Sequence, residues 1–145
     1  MDTPSPADDL LRAAAALSRW ASSQGGLGAP SGVLRLLALV EELGPLRIGD
    51  LAQADHTSQP AVTRQVGRLR ELGWIERTSD DTDARATLVA ITPAGHDALS
   101  RARRARGQAV GRLLRETGIA DHRVRETTQL IDQLLQAARG AAGKE

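Results

Sequence analysis

Cysteine, phenylalanine and tyrosine are absent from the 145-residue chain, and it contains only two tryptophans, Trp20 and Trp74. The lack of thiols excludes disulfides, cysteine-based zinc sites and cysteine redox sensing. The core must therefore be built from Leu, Val, Ile and Ala. No apolar run approaches the roughly 18 residues that a membrane-spanning helix requires, and the acidic start MDTPSPADDL does not resemble a secretion signal. We expect a soluble, cytoplasmic protein that does not associate with a membrane.

Metal ligands and catalytic groups are also scarce. The three histidines, His56, His96 and His122, fall in three different predicted elements, and no two of them have the spacing of a metal site. The sequence has no nucleophile motif and no evident histidine–carboxylate constellation. We therefore expect no metal and no other cofactor, and a protein that is not an enzyme.

Positive charge is concentrated in the middle of the chain, although the net charge is only +1. Residues 58–106 contain nine arginines and six acidic residues, a net charge of +3, whereas residues 1–57 carry −3 and residues 107–145 carry +1. This distribution permits a nucleic-acid-binding face without demonstrating one. The four arginines between Arg101 and Arg106 would spread around a helix, so a solvated surface with some pairing is favoured over a second DNA patch.

The spacing of apolar residues and the positions of caps, proline and glycine predict six helices and one β-hairpin. A short helix, a tight turn, a capped helix and then a hairpin form a winged helix-turn-helix arrangement. The predicted fold class is therefore mainly α with a small β-hairpin wing (α+β). The elements are a helix from Ser5-Pro6 to about Ser23, helices at Ser31–Leu43, within IGDLAQAD (48–55) and within TSQPAVTRQVGRLRELG (57–73), strands at Trp74–Thr78 and Thr87–Ile91, and helices from Pro93 to about Glu116 and from about Asp121 to Arg139.

The first and last predicted helices carry apolar stripes that lie outside the winged unit. Leu10 and Leu17 recur at helical spacing in the first helix, and Ile131 and Leu134 do so in the last. A second copy of the chain is the economical way to cover them, so we expect a homodimer.

Four motifs occur in a specific order: GPLRIGDLA (44–52), SQPAVTRQVGRLRELGWIER (58–77), DAR (83–85) and VAITPAG (89–95). In this order and spacing they resemble the MarR family of bacterial transcription regulators. The resemblance holds in detail from about residue 34 to residue 99, and the flanking helices agree with it in number and position.

Two positions depart from the family pattern. Arg47 stands where the family usually has Ser or Thr before the third helix, so that helix must be capped in another way or weakly. His56 stands in the turn where many helix-turn-helix proteins have Gly. Histidine tolerates the left-handed backbone region better than most residues, so we expect a local adjustment only.

The resemblance implies a single MarR-type domain over residues 1–145, with a winged DNA-binding lobe at about 31–92 and N- and C-terminal dimerisation helices at about 5–24 and 93–140. It also implies that Ser58–Arg70 is the recognition helix, lying in the major groove. The candidate DNA-binding residues of this helix are Ser58, Gln59, Pro60, Ala61, Thr63, Arg64 and Arg68.

The chemistry of these residues agrees with that role. Gln59 and Arg64 are able to make bidentate contacts to adenine and guanine edges. Ala61 or the methyl group of Thr63 can pack on a thymine methyl, and Arg68 is better placed to meet a phosphate.

The tip of the predicted wing contains both acids and an arginine. The resemblance implies that Arg85 enters the minor groove while Asp83 holds its guanidinium in place. Asp80 and Asp81 are interpreted as turn formers, because carboxylates bond nearby backbone N–H groups. We expect these two acids to lie on the side of the wing away from the phosphates.

Family members often bind small aromatic or anionic effectors between the DNA-binding lobe and the dimer region. Trp20, with Arg19 or Arg35 as a counter-charge, is a candidate for such a site, and Trp20 in the dimer core is the alternative. The predicted function is a sequence-specific regulator, a repressor by family tendency, that binds double-stranded DNA as a homodimer at a pseudo-palindromic operator and is released by such a ligand. The alternative is a winged-helix protein-interaction module that does not bind DNA.

Overall fold

Six helices and one antiparallel β-hairpin follow one another in the predicted order, which confirms the fold class. The computed structural model describes residues 5–24, 31–83 and 86–142. The elements are α1 (Pro6–Ser23), α2 (Ser31–Leu43), α3 (Ile48–Ala54), α4 (Gln59–Glu71), β1 (Ile75–Ser79), β2 (Thr87–Ile91), α5 (Pro93–Thr117) and α6 (Asp121–Ala142).

Local capping bonds explain where several helices begin. Ser5 and Asp8 form a capping box at α1, with each side chain accepting the other residue's backbone N–H. The Ser58 hydroxyl accepts from the backbone N–H of Ala61 and starts α4. The Thr92 hydroxyl accepts from the N–H of Gly95 at 3.1 Å, which starts α5. These starts agree with the caps and prolines of the sequence.

The turn between α3 and α4 contains His56, whose φ is 51°. This left-handed conformation is one that histidine tolerates better than most residues, although glycine adopts it at lower cost. The turn closes with hydrogen bonds from His56 N to Gln53 O and from Thr57 N to Ala52 O. The expected local adjustment at this position is confirmed.

The hairpin differs slightly from the predicted strands. β1 begins at Ile75, one residue later than expected. Trp74 instead forms backbone hydrogen bonds with the end of α4 and with the residue that precedes α5. Its N–H donates to Leu69 O at 3.0 Å, and its carbonyl accepts from Thr92 N at 3.0 Å. The register pairs Ile75 with Ile91 and Ser79 with Thr87.

The core of residues 1–107 is wholly aliphatic, as the composition requires. α2 lies at its centre, since Leu36, Leu37 and Val40 are completely buried. Leu43, at the end of α2, is 49% exposed and does not continue the predicted stripe into the core. The buried cluster consists of Val33, Leu36, Leu37, Val40, Leu51, Ala52, Val62, Val66, Leu69, Ile75, Val89 and Leu99.

The chain forms two compact units, residues 1–107 and residues 108–145. The second contains the end of α5 and all of α6, and it exposes about half of the side-chain surface of Leu130, Leu134 and Leu135. No helix within the described residues is both long enough and apolar enough to cross a membrane.

Candidate nucleic-acid interface

The turn between α3 and α4 is joined to α2 by an acid with a buried side chain that the sequence did not single out. Arg35 on α2 donates to both carboxylate oxygens of Asp55, at 2.8 and 3.1 Å. The Asp55 side chain is 2% exposed, so this pair fixes the turn against α2. The hydrogen bond that Arg35 donates to Asp55 raises the pKa of Arg35 above its ordinary value. Arg35, a predicted counter-charge for an effector, therefore also has a structural partner.

α4 is buried on one side and exposed on the other. Val62, Val66 and Leu69 lie in the core with at most 1% of their surface exposed. This seating turns the opposite face of the helix to the outside, as the sequence pattern predicts. Of the candidate residues, Ala61 is half-buried and the exposed ones are Ser58, Gln59, Pro60, Thr63, Arg64 and Arg68.

The exposed side chains of α4 differ in what they already bind. The Thr63 hydroxyl donates to Gln59 O at 2.8 Å, which leaves the methyl group as its free part. Arg68 lies 3.4 Å from a Glu71 carboxylate oxygen. Arg64 has no ion-pair partner within the described part of the chain. Its guanidinium is therefore available to an external acceptor.

The wing is attached to the segment before α3 by backbone hydrogen bonds. Leu46 forms an isolated antiparallel bridge with Val89 of β2, with N–O distances of 3.2 and 2.9 Å. Asp83 of the DAR motif lies between β1 and β2, and Ala84 and Arg85 are outside the described residues. The predicted contact of Asp83 with Arg85 therefore remains a prediction.

Asp80 has more partners than a turn former needs. As predicted, it accepts the backbone N–H of a nearby residue, Thr82, at 2.9 Å, and it also accepts the Thr82 hydroxyl. In addition, its second carboxylate oxygen lies 2.8 Å from Arg47 Nη2. Hydrogen bonds from Arg47 and then from Thr82 hold the pKa of Asp80 well below its usual range.

The structure shows what Arg47 does at the start of α3, where the family usually has Ser or Thr. It occupies the N-cap position of that helix, but its side chain makes no capping bond. The side chain instead reaches Asp80 and lies 3.9 Å from Asp83. The expectation of a weak or different cap is confirmed, and the residue has a role that sequence reasoning missed.

A cleft of about 690 Å³ lies beside α1, α2 and α5, within residues 1–107. Arg19 and Arg35 line it, whereas Trp20, which is 37% exposed, is not among its lining residues. The Arg106 Nε atom is buried there and has no hydrogen-bond partner among the described residues. The complete lining is Ser18, Arg19, Ser22, Ser23, Leu34, Arg35, Ala38, Leu99, Arg103 and Arg106.

Comparison with known proteins places this architecture. The sequence model of the MarR family matches residues 32–87, from α2 to the start of β2. Residues 32–87 are therefore similar to the MarR family of winged helix-turn-helix transcription regulators. An uncharacterized HTH-type transcriptional regulator of Mycobacterium leprae is 28% identical over 103 residues, which are 70% of this chain and 72% of that protein. An HTH-type transcriptional regulator of Mycobacterium tuberculosis is 30% identical over 73 residues, 50% of this chain and 51% of the relative.

Solved structures share the MarR fold with this chain. Wild-type MarR from Escherichia coli, in its apo form, matches with a TM-score of 0.76 over 92% of this chain and 99% of that one, at 18% identity. A MarR family protein from Bacillus stearothermophilus matches with a TM-score of 0.74 over 91% of this chain and 92% of that one, also at 18% identity. At this identity the likeness concerns the fold alone.

The acidic and histidine side chains do not assemble a metal site in the part of the chain that the structure describes. No group of three or more His, Cys, Asp or Glu residues there has the proximity to hold a metal ion. The nearest histidine–carboxylate contact joins His96 to Glu41, and the second oxygen of Glu41 is taken by Arg103 at 2.7 Å. The ion pair of Arg103 with Glu41 confirms, for this one arginine, the pairing expected within the arginine cluster of α5.

Proposed function

We propose that this chain is a MarR family, sequence-specific DNA-binding regulator that acts in the cytoplasm as a homodimer. One observation carries the proposal: the start of α4 presents a polar, exposed face that includes Arg64, which has no ion-pair partner among the described residues. The buried residues behind this face hold it rigidly, and a rigid support is what a base-reading helix requires.

Within the major groove, Gln59 and Arg64 read base edges, because both form bidentate hydrogen bonds. Ala61 and Thr63 contact thymine methyl groups, which the engaged hydroxyl of Thr63 favours. Arg68 binds a phosphate and sets the register of the helix on the duplex. Ser58 and Pro60, at the start of α4, lie next to the sugar–phosphate backbone of the DNA.

The wing contributes the second contact. Arg85 enters the minor groove, where a narrow A·T-rich segment concentrates negative potential. The carboxylate of Asp83 orients the guanidinium of Arg85. An exposed pair of this kind contributes only about 0–1 kcal/mol to stability, so its value lies in orientation.

The homodimer places two such lobes on one operator. Exposed leucines on α1 and α6, including Leu17 and Leu134, require a partner surface. Two-fold symmetry then implies a pseudo-palindromic site with half-sites about 34–36 Å apart. Bound at a promoter, the dimer represses by blocking access.

Release by a small ligand is assigned to the cleft beside α1. Four arginines line it, and because Arg35 and Arg103 are already paired with Asp55 and Glu41, Arg19 is the favoured counter-charge for an anionic effector. The buried Nε of Arg106, which has no hydrogen-bond partner in the described part of the chain, supports this assignment. Trp20, outside the lining, fits the dimer core at least as well.

A gel-shift assay with the DNA upstream of its own gene, across a salt series, tests the proposal. We expect specific binding whose affinity falls steeply with salt, because phosphate contacts release counterions. Absence of binding to any genomic fragment at low salt would overturn it. That outcome would favour the alternative, a winged-helix module that binds proteins.

A further inference from the structure

We infer that Arg47 is a positioning residue for the wing: by holding the Asp80 carboxylate, it fixes the direction of the wing loop against the start of α3. This inference rests on the proposed function, because the same loop carries Asp83 and Arg85. Arg47 does not cap its own helix. Its side chain is directed instead to a residue 33 positions along the chain.

The backbone beneath Arg47 is attached to the wing at a fixed point. Leu46 exchanges two backbone hydrogen bonds with Val89, at 3.2 and 2.9 Å, and Val89 is completely buried. The backbone next to Arg47 is therefore fixed to β2, and the Arg47 side chain extends from this fixed point to Asp80 on the loop. Two levels of contact join the wing to the start of α3, the backbone at Leu46 and the side chain at Arg47.

The carboxylate of Asp80 divides its two oxygens between two tasks. Oδ2 accepts from Arg47 at 2.8 Å, while Oδ1 accepts from the Thr82 N–H at 2.9 Å and the Thr82 hydroxyl at 2.7 Å. The side chain is only 13% exposed, against 49% for Arg47. Because one rigid group holds both sets of partners, the turn of the loop is coupled to the tether.

Simple electrostatics and the tether make opposite predictions for Asp80. Removal of a negative charge near DNA strengthens binding when the charge only repels phosphates. Loss of the tether weakens binding, because the loop must then be ordered at the moment of contact. The variant Asp80→Asn separates the two, since the amide oxygen can still accept from Thr82 while the charge that pairs with Arg47 is gone. Asp81, the exposed neighbour, provides the matched control.

The test uses the full chain and a labelled duplex that the wild-type protein selects from a random-sequence pool. Arg47→Ala and Asp80→Asn should each raise Kd on the order of ten-fold, measured by fluorescence anisotropy at one salt concentration. The double variant should bind no more weakly than the weaker single one, because both changes break one contact. Arg47→Lys should keep most of the affinity, and Asp81→Asn should bind at least as well as wild type.

Amide hydrogen exchange without DNA gives a second readout that does not depend on the proposed function. Exchange in residues 80–86 should accelerate in Arg47→Ala and Asp80→Asn but not in Asp81→Asn, with the melting temperature unchanged. If the wild-type protein selects no duplex, the proposed function fails, and the exchange data still decide whether the tether orders the loop. Tighter binding by Asp80→Asn, additive losses in the double variant, or unchanged exchange overturns the inference.

Discussion

Arg64 stands on the exposed face of α4 without an ion-pair partner in the described residues, whereas Arg68 lies near Glu71. Arg64→Ala should weaken operator binding by about 1–3 kcal/mol and relax the base preference at one position. Arg68→Ala should weaken binding to all sequences alike and lower the salt slope by about one unit. Competition with base-substituted duplexes over a salt series measures both effects.

Arg104→Ala is the matched control for these two changes, because it removes an exposed arginine from α5, outside the winged lobe. It should leave both the affinity and the base preference unchanged. A base preference in Arg64→Ala equal to that of the wild-type protein would remove Arg64 from the reading of bases.

Individual residues show which roles a sequence can predict. The caps Ser5 and Ser58 were predictable, because each bonds a backbone N–H three positions away. The ion pairs of Arg35 with Asp55 and of Arg47 with Asp80 were not, because they join residues 20 and 33 positions apart. Only the folded chain brings such partners together. At Arg47 the departure from Ser or Thr was the one available signal.

The junction of α5 with the hairpin depends on Gly95, which is buried. An added Cβ would overlap the carbonyl oxygen of Trp74 and lie 2.8 Å from Ile91 Cγ1. Gly95→Ala should therefore lower the free energy of unfolding by about 1–3 kcal/mol, the usual cost of overpacking. Urea unfolding measures the change.

Gly67→Ala in α4 is the control for this substitution, since a Cβ at that helical position meets no atom within 4 Å. It should be neutral or stabilising by roughly 0.5–1 kcal/mol, because alanine favours the helix. Equal effects of the two substitutions would show that close packing at Gly95 is not what holds α5 in place.

The link between α2 and α5 should depend on pH in the acid range. Glu41 accepts from His96 at 2.9 Å and from Arg103 at 2.7 Å. The hydrogen bond from His96, followed by that from Arg103, lowers the pKa of Glu41 below its ordinary value of 4.5. A lowered pKa contributes stability that is complete above the ordinary value and is lost as pH falls through the folded-state value.

Thermal melts of wild type and Glu41→Gln from about pH 7 to pH 3 check this sign. Wild type should melt higher at neutral pH, and the difference between the two proteins should shrink on acidification. Glu76→Gln, on an exposed residue of β1, is the comparison at equal charge change. A difference that is constant with pH would contradict the link.

The bounds of the elements show why local pattern suffices for most of the fold. Glycine, proline and capping residues punctuate this chain, so most helix ends lie within a residue or two of their predicted places. α6 extends beyond the predicted Arg139 to Ala142, because the two alanines that follow Gly140 favour the helix. β1 was shifted by a contact that is not local, the use of Trp74 by both α4 and α5.

For the whole molecule, composition predicted an aliphatic core and the motif order predicted the family, but neither defines an assembly. Val62 and Val66 are buried within their own chain, as their helical spacing in the sequence predicts. Leu134 and Leu135 follow the same periodicity, yet about half of each side chain is exposed. Apolar periodicity predicts that one face of a helix is buried, but it does not identify the surface against which that face packs.

The dimer prediction follows from this exposed stripe. Leu134→Asp places a charge in the middle of the apolar face of α6, where burial against a second copy would leave the carboxylate without solvent. We expect a monomer at micromolar concentration by light scattering. Operator affinity should fall on the order of 100-fold or more, because two linked lobes bind one site with a high effective concentration.

Gln133→Asp introduces the same charge on the opposite face of α6 and is the matched control. It should remain dimeric and bind the operator as the wild-type protein does, since that face needs no partner. A dimer that persists in Leu134→Asp would show that the exposed leucines of α6 do not form the interface. Monomers of both variants would instead indicate that any added charge destabilises the helix itself.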